Sequence, residues 1–218
     1  MNLTKRCNDL FECKDGSDEQ NCEPLTINKD SYRKIMPNYE EGKKTVISVK
    51  AVLKAITKVN QLAMTFQGDI KIILSWKDGR ISFKDLGPNG SYLNPNWKNQ
   101  IWLPPLYFPN TVGKFPVTSD KGFTVKVLKQ GGCKLNNELE LHEGFIYNGN
   151  ENVLELTSHY EYTFHCRFEL SNFPFDTQLC NMTLKVPSEM KNFIQLYNSS
   201  LEFEGESLKL FTYAQGGY

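Results

Sequence analysis

The sequence predicts an all-β fold built as two layers of strands packed face to face, and three observations carry that prediction. Leu154, Leu156, Ser158, Tyr160, Tyr162, Phe164, Cys166, Phe168 and Leu170 alternate with Glu155, Thr157, His159, Glu161, Thr163, His165, Arg167 and Glu169. A period of two held this long gives a strand one dry face and one wet face. Ile70, Ile72, Leu74 and Trp76 alternate in the same way with Lys71, Ile73 and Ser75. The dipeptides Asn89-Gly90 and Asn148-Gly149 mark turns, the second reading as a hairpin between strands. Short alternating strands separated by such signals, with almost no helical stretch, describe a β-sandwich.

Length and composition bound the rest. With 218 residues, 39% hydrophobic and 12% aromatic, the chain can bury one sizeable core plus a small appendage. Its 25 basic and 25 acidic residues cancel, which argues against a nucleic-acid surface or a polybasic membrane patch. Six cysteines and the glycosylation sequons at Asn2, Asn89, Asn181 and Asn198 point together to the secretory route. The start, Met1-Asn-Leu-Thr-Lys-Arg-Cys7, has no apolar region of signal-peptide type, so the true N-terminus is expected upstream. No apolar run approaches the roughly 18 residues of a membrane span. Ile101–Phe108 is short and broken by Pro104 and Pro105.

Taken from the N-terminus, the first element is Cys7-Asn-Asp-Leu-Phe-Glu-Cys13-Lys-Asp-Gly-Ser-Asp-Glu-Gln-Asn-Cys22. Its cysteine gaps and its Asp15-Gly16-Ser17-Asp18-Glu19 run resemble the C-terminal half of a low-density-lipoprotein (LDL) receptor class A module, over residues 1–23. Modules of this size cannot build a hydrophobic core and rely on disulfides and calcium. The resemblance implies a Cys7–Cys22 pairing and a calcium ion with side-chain ligands at Asn8, Glu12, Asp18 and Glu19, an oxygen shell of the kind calcium prefers. Asn8 and Glu12 stand where the family usually has aspartate. Cys13 and Cys133 are left over, either paired with each other or held as free or intermolecular thiols.

Residues 24–30, from Pro24 to Asp30, read as a linker, and a second domain follows over 31–218. Val49, Val52, Leu53, Ile56 and Val59 satisfy a helical period as well as a strand, so the periodicity leaves that segment open. After the turn at 173–176, Cys180, Met182, Leu184 and Val186 repeat the alternation, which starts both Cys166 and Cys180 on the buried side and turns Asn181 outward.

Cys166 and Cys180 enclose thirteen residues around Phe173-Pro174-Phe175-Asp176. This stretch resembles the signature loop of the Cys-loop receptors, the pentameric neurotransmitter-gated ion channels. The likeness extends to Trp76-Lys-Asp78-Gly-Arg80, to Trp102-Leu-Pro104-Pro105 with Asn110, and to Ser31-Tyr32-Arg33-Lys34-Ile35-Met36-Pro37, the segment that ends the family's N-terminal helix. It implies an immunoglobulin-like twisted β-sandwich of the nicotinic-receptor type with a short N-terminal helix. It makes Val49–Val59 a strand and Cys166–Cys180 a disulfide, which stabilises such a ring by roughly 3 kcal/mol. The domain is expected to stop before the family's last hairpin and its four membrane helices.

The resemblance also implies a ligand site between subunits, where a cage of aromatic rings holds a cationic amine. Counted along the matched motifs, the cage positions fall on Lys71, Pro109 and Pro187, none of which presents a π face. Tyr107 and Phe108 stand near enough in sequence to supply an aromatic, or else serve as core residues. Lys71 repels an ammonium ligand and suits an anionic one. Trp76 reads as a core aromatic.

No enzyme signature is present. His142-Glu143-Gly144 lacks the second histidine of a zinc-protease helix, and no nucleophile elbow or phosphate loop occurs. His159 and His165 read as solvated groups or, less simply, as proton sensors. The expected function is the extracellular part of a channel subunit, on the outer side of the plasma membrane and assembled as a pentamer. A small molecule or the proton would act as agonist, and Phe173, Pro174, Phe175 and Asp176 would couple binding to the pore. The alternatives are a secreted binding protein of the same fold and a non-gating scaffold subunit.

Overall fold

The computed structural model describes residues 13–15, 25–27, 35–39, 41–84, 86–93, 100–113, 122–132, 146–172 and 175–203. Among these, the strands are β1 (Leu25–Ile27), β2 (Thr45–Asn60), β3 (Thr65–Trp76), β4 (Ile81–Lys84), β5 (Ser91–Tyr92), β6 (Thr124–Leu128), β7 (Ile146–Asn148), β8 (Val153–His165) and β9 (Ile194–Phe203). They form a six-stranded sheet in the order β5-β6-β8-β3-β2-β9 and a three-stranded sheet in the order β1-β4-β7. The fold is nearly all β, as the alternation predicts.

The predicted dry faces are the ones that pack. Ile70, Ile72, Leu74 and Trp76 on β3 are buried, as are Leu154, Leu156, Tyr162 and Phe164 on β8. The two strands pair antiparallel over their whole length, from Thr65 opposite His165 to Trp76 opposite Leu154. Phe66 stacks on Phe164 at 5.2 Å between ring centroids, and Phe108 meets Phe164 edge-on at 5.3 Å. Trp76 is 2% exposed and edge-on to Trp102 at 6.2 Å, so both tryptophans serve the core. Each such aromatic contact adds about 0.5–1.5 kcal/mol to the area it buries.

The ambiguous segment is strand β2. Val49 and Leu53 point into the core, whereas Ile56 and Val59 are exposed. Register shifts between Leu53 and Ala55 and again between Ile56 and Lys58 mark irregularities in its pairing with β3. Each inserted residue flips the later side chains to the other face, and the resulting pattern imitates a helical period.

Three expectations are corrected. Leu25–Ile27, inside the stretch read as a linker, is strand β1 and pairs antiparallel with Ile81–Phe83. Leu25 and Ile27 are the apolar members of that stretch, and an alternating pair suffices for one short edge. Asn148-Gly149 does not make a hairpin: β7 belongs to the small sheet beside β4, β8 to the large sheet beside β3, and the turn carries the chain between layers. Its tight winding comes from the Asn148 carbonyl, which accepts from the backbone N–H groups of Glu151 and Asn152. Leu170, assigned to the dry face, is 39% exposed, because regular pairing ends at His165 and Leu170 lies within the disulfide ring. The expected N-terminal helix lies outside the described residues.

Candidate functional site

The Trp-x-Asp-x-Arg motif explains how the N-terminal segment is held. Trp76 ends β3 and Ile81 begins β4, so residues 77–80 form the corner between the sheets. Asp78 is fully buried, and the Arg80 guanidinium closes on it as a fork, Nε to Oδ1 at 2.9 Å and Nη2 to Oδ2 at 2.8 Å. Arg80 Nη1 donates at 2.6 Å to the carbonyl of Ile35, next to the buried Met36. A buried carboxylate is tolerated only when so satisfied. The second corner locks onto the first. Asp78 N–H donates to the Gly149 carbonyl, Gly149 N–H donates to the Ile81 carbonyl, and a Cβ on Gly149 would lie 2.0 Å from the Asp78 carbonyl oxygen. Buried Asn152 extends this junction, its Oδ1 accepting from the N–H groups of Gln130 and Gly131.

At the opposite end of β8 lies the ring. Cys166 and Cys180 are disulfide-bonded with their Cα atoms 5.2 Å apart. The ring is braced internally by Gln178, whose Oε1 accepts from Glu169 N–H at 2.9 Å and whose Nε2 donates to the Glu169 carbonyl at 2.8 Å and also to Asp176. Phe175 N–H donates to the Asn172 carbonyl, and the Phe175 side chain is 92% exposed. Phe173 and Pro174 lie outside the described residues.

Asn110 ties this end together. Its carbonyl accepts from His165 N–H, its Nδ2 donates to the Asn181 carbonyl, and its Oδ1 accepts from Thr183 N–H at 3.3 Å. Through its carbonyl and its side chain together, this one residue joins the 100–113 segment to both arms of the disulfide. Close by, at the β2–β3 turn, Leu62 is fully exposed and the Met64 carbonyl accepts from Cys166 N–H. The bracing by Gln178 was not anticipated from the sequence. Its signal was a lone polar residue at fixed distance from Cys180, which carries no periodicity.

Of the expected ligand positions, Lys71 lies on β3, Pro109 in a turn and Pro187 at the start of a 3-10 turn. Lys71 is half-buried on the wet face of β3, opposite Val52 on β2 and His159 on β8. Its diagonal neighbours on that face are Asp69, Glu161, Ile73 and Thr157, and no carboxylate among the described residues forms an ion pair with it. Further along the same face a shallow hollow of about 210 Å³ is lined by Lys58, Asn60, Thr65, Gln67 and Thr163. Thr57 donates to Glu161 Oε1 at 2.8 Å beside it. Pro109 sits in the turn where Thr111 Oγ1 donates to the Phe108 carbonyl, and Pro187 opens the 3-10 turn Ser188–Met190 by accepting from Met190 N–H. Both prolines shape backbone.

Phe108 is 4% exposed and packed against Tyr162 and Phe164, so its ring belongs to the core. Tyr107 is half-buried and bridges Lys185 through backbone hydrogen bonds. His159 and His165 lie exposed on the wet face. Asn89 and Asn181 are exposed as well; the side chain of Asn198 and all of Asn2 lie outside the described residues. So do Cys7, Cys22, Cys133 and the calcium positions Asn8, Glu12, Asp18 and Glu19. Among the described residues no group of three or more acidic, histidine or cysteine side chains stands together as a metal site, and no helix is long and apolar enough to cross a membrane.

Chemically, the site is a set of rigid corners and one exposed aromatic tip joined through Asn110 and the disulfide to β8. The wet face beside it offers hydrogen bonds and, at Lys58 and Lys71, ammonium groups that form no ion pair among the described residues. Compared with known families, residues 19–217 match the one described as the neurotransmitter-gated ion-channel ligand binding domain.

Proposed function

Because the chain belongs to the neurotransmitter-gated ion-channel ligand-binding domain family, which is not an enzyme family, we propose that it is the extracellular part of a pentameric channel subunit. In this reading an agonist bound between neighbouring subunits shifts the closed–open equilibrium of the pore through its differential affinity for the two states. The observation that carries the coupling role is Phe175, an almost fully exposed aromatic on a ring otherwise braced by Gln178 and the disulfide. A folded domain gains nothing in its own core from such a side chain, whereas a rigid tip suits contact with a membrane domain.

The agonist in this reading is not an ammonium held by aromatic rings. Lys71, Pro109 and Pro187 offer no π face, and Lys71 brings an unpaired positive charge, so a small molecule bearing a carboxylate is the favoured class. The absence of the aromatic cage also sustains the second reading, a non-gating scaffold subunit. The N-terminal class A module and its calcium, held by Asn8, Glu12, Asp18 and Glu19, belong to the same proposal.

Recording currents from the full subunit separates these readings. Phe175→Ala is expected to leave melting temperature and surface assembly unchanged while raising the agonist concentration needed for half-maximal current or abolishing current. Lys71→Gln is expected to weaken an acidic agonist by about tenfold or more, from the 1.5–3 kcal/mol typical of a hydrogen bond to a charged group. Wild-type currents indifferent to Phe175→Ala would sink the coupling role. Well-assembled pentamers that pass no current across an agonist and pH panel would favour the scaffold.

A further inference from the structure

The wet face of a sheet is polar as a rule, so the informative feature there is which polar groups remain unspent. At the turn end of the large sheet, Lys58, Gln67 and Thr163 stand on one rung across β2, β3 and β8, and Asn60, Thr65 and His165 stand on the next. All but His165 line the hollow of about 210 Å³. Their donors are largely unspent. Thr65 is only 9% exposed, yet its hydroxyl makes no hydrogen bond among the described residues. The Gln67 amide and the Thr163 hydroxyl make none there either, and the Lys58 ammonium forms no ion pair. Asn60 has spent its acceptor, Oδ1, on Ala63 N–H at 3.0 Å, which leaves the donor Nδ2. Among the described residues no carboxylate lines the hollow.

From this surplus of donors we propose that the hollow binds a small monocarboxylate anion. Lys58 Nζ counters its charge, and the Thr65 and Thr163 hydroxyls with the Asn60 and Gln67 amides hold its two oxygens. Buried polar groups take partners, and a hydrogen bond to an ionised acceptor is about twice as strong as a neutral one. An anion therefore satisfies this set better than a neutral guest or a cation. The charge state follows from the neighbours. Asp69 and Glu161 face each other one rung further along β3 and β8, with Glu161 accepting from the Thr57 hydroxyl at 2.8 Å. With one ammonium in the hollow and two carboxylates beyond it, a second negative charge on the guest adds repulsion that nothing there offsets. A dianion such as phosphate is disfavoured on that ground. Gln67, opposite Lys58, is four residues from Lys71 along β3, so about 13 Å separate this site from Lys71 at the rise of a strand.

Position gives occupancy a consequence. The hollow lies beside the β2–β3 turn, where the Met64 carbonyl accepts from Cys166 N–H at 2.9 Å. A guest held from β2, β3 and β8 at once ties the three strands together where β8 runs into the disulfide. It binds the folded chain and raises its melting temperature by mass action.

Propionate is the probe, offered to the purified full-length protein at constant ionic strength with chloride as the anion it replaces. Saturation-transfer nuclear magnetic resonance reads its binding, and thermal unfolding reads its stabilisation. Wild type and Lys71→Gln are expected to bind it alike. Lys58→Gln, a change at an exposed side chain, is expected to weaken it about tenfold or more. Thr65→Val, which removes the buried hydroxyl, is expected to weaken it severalfold. Both variants should melt like wild type in chloride alone, which separates lost binding from lost folding, and Lys58→Gln decides if Thr65→Val folds poorly. Propionate that shows no saturable binding to wild type overturns the site. So does binding that persists in Lys58→Gln, or that Lys71→Gln abolishes. Phosphate displacing propionate at lower concentration than acetate does overturns the assignment to a monocarboxylate.

Discussion

Removing the Arg80 guanidinium is the sharpest test of how this sandwich is held. Arg80→Ala takes two hydrogen bonds from a carboxylate that has no solvent exposure, and a third from the carbonyl of Ile35. Arg80 itself is only 13% exposed in its side chain, so the pair is not screened by water. Breaking one partner of a buried ion pair costs about 3–5 kcal/mol, because the remaining charge keeps its desolvation penalty. At about 2–4 °C per kcal/mol for a domain of this size, the melting temperature falls by roughly 6–20 °C. Arg80→Lys is expected to recover little, since an ammonium cannot reproduce the planar fork. The exposed pair Lys43–Glu41, with side chains 73% and 58% exposed, is the internal control. Lys43→Ala should change stability by less than about 0.5 kcal/mol. Thermal unfolding followed by near-ultraviolet circular dichroism measures all three. If Arg80→Ala melted within 2 °C of wild type, the buried corner would not be what anchors the N-terminal segment.

Gly149→Ala places a methyl 2.0 Å from the Asp78 carbonyl oxygen and is expected to cost about 1–3 kcal/mol or more, whereas Gly132→Ala, with nothing within 4 Å, is expected to be neutral; urea midpoints of the two variants test the contrast. Replacing Cys166 and Cys180 together by Ser should cost about 3 kcal/mol and remove the sensitivity of the melting temperature to reductant. Glu189 is held below the ordinary glutamate range by its own backbone N–H first and by the Ser188 hydroxyl second. Its contribution to stability is therefore present above the unfolded carboxylate range and lost as pH falls through the lowered folded value. A carboxyl carbon titration by nuclear magnetic resonance should show the shift, and Ser188→Ala should move it part of the way back.

What could be read from the sequence was what repeats. The β3 and β8 alternation gave the two central strands, the dry face and the identity of Trp76 as a core residue, because a strand buried on one side writes its pattern in every second residue. The β2 segment stayed ambiguous because its irregularities are set by the partner strand, which a single run of residues does not contain. Asn148-Gly149 signalled a turn correctly, but turn chemistry is local and does not say which sheet receives the next strand. At the candidate site, the ring and the Asp78–Arg80 pair were legible as motifs. Asn110 was visible only as a motif letter, while its side-chain bonds to the Cys180 arm of the ring depend on segments about 70 residues apart meeting in space.

Strand β9 lies parallel against β2, from Ile194 beside Thr45 to Phe203 beside Leu53. Its partner is therefore synthesised roughly 150 residues earlier, and at about 5–20 residues per second the free flank of β2 waits some 7–30 seconds for it. During that interval an unpaired ribbon on the nascent chain offers its backbone to any other strand nearby. The pairing that closes this side of the large sheet is therefore complete only once translation has passed residue 203.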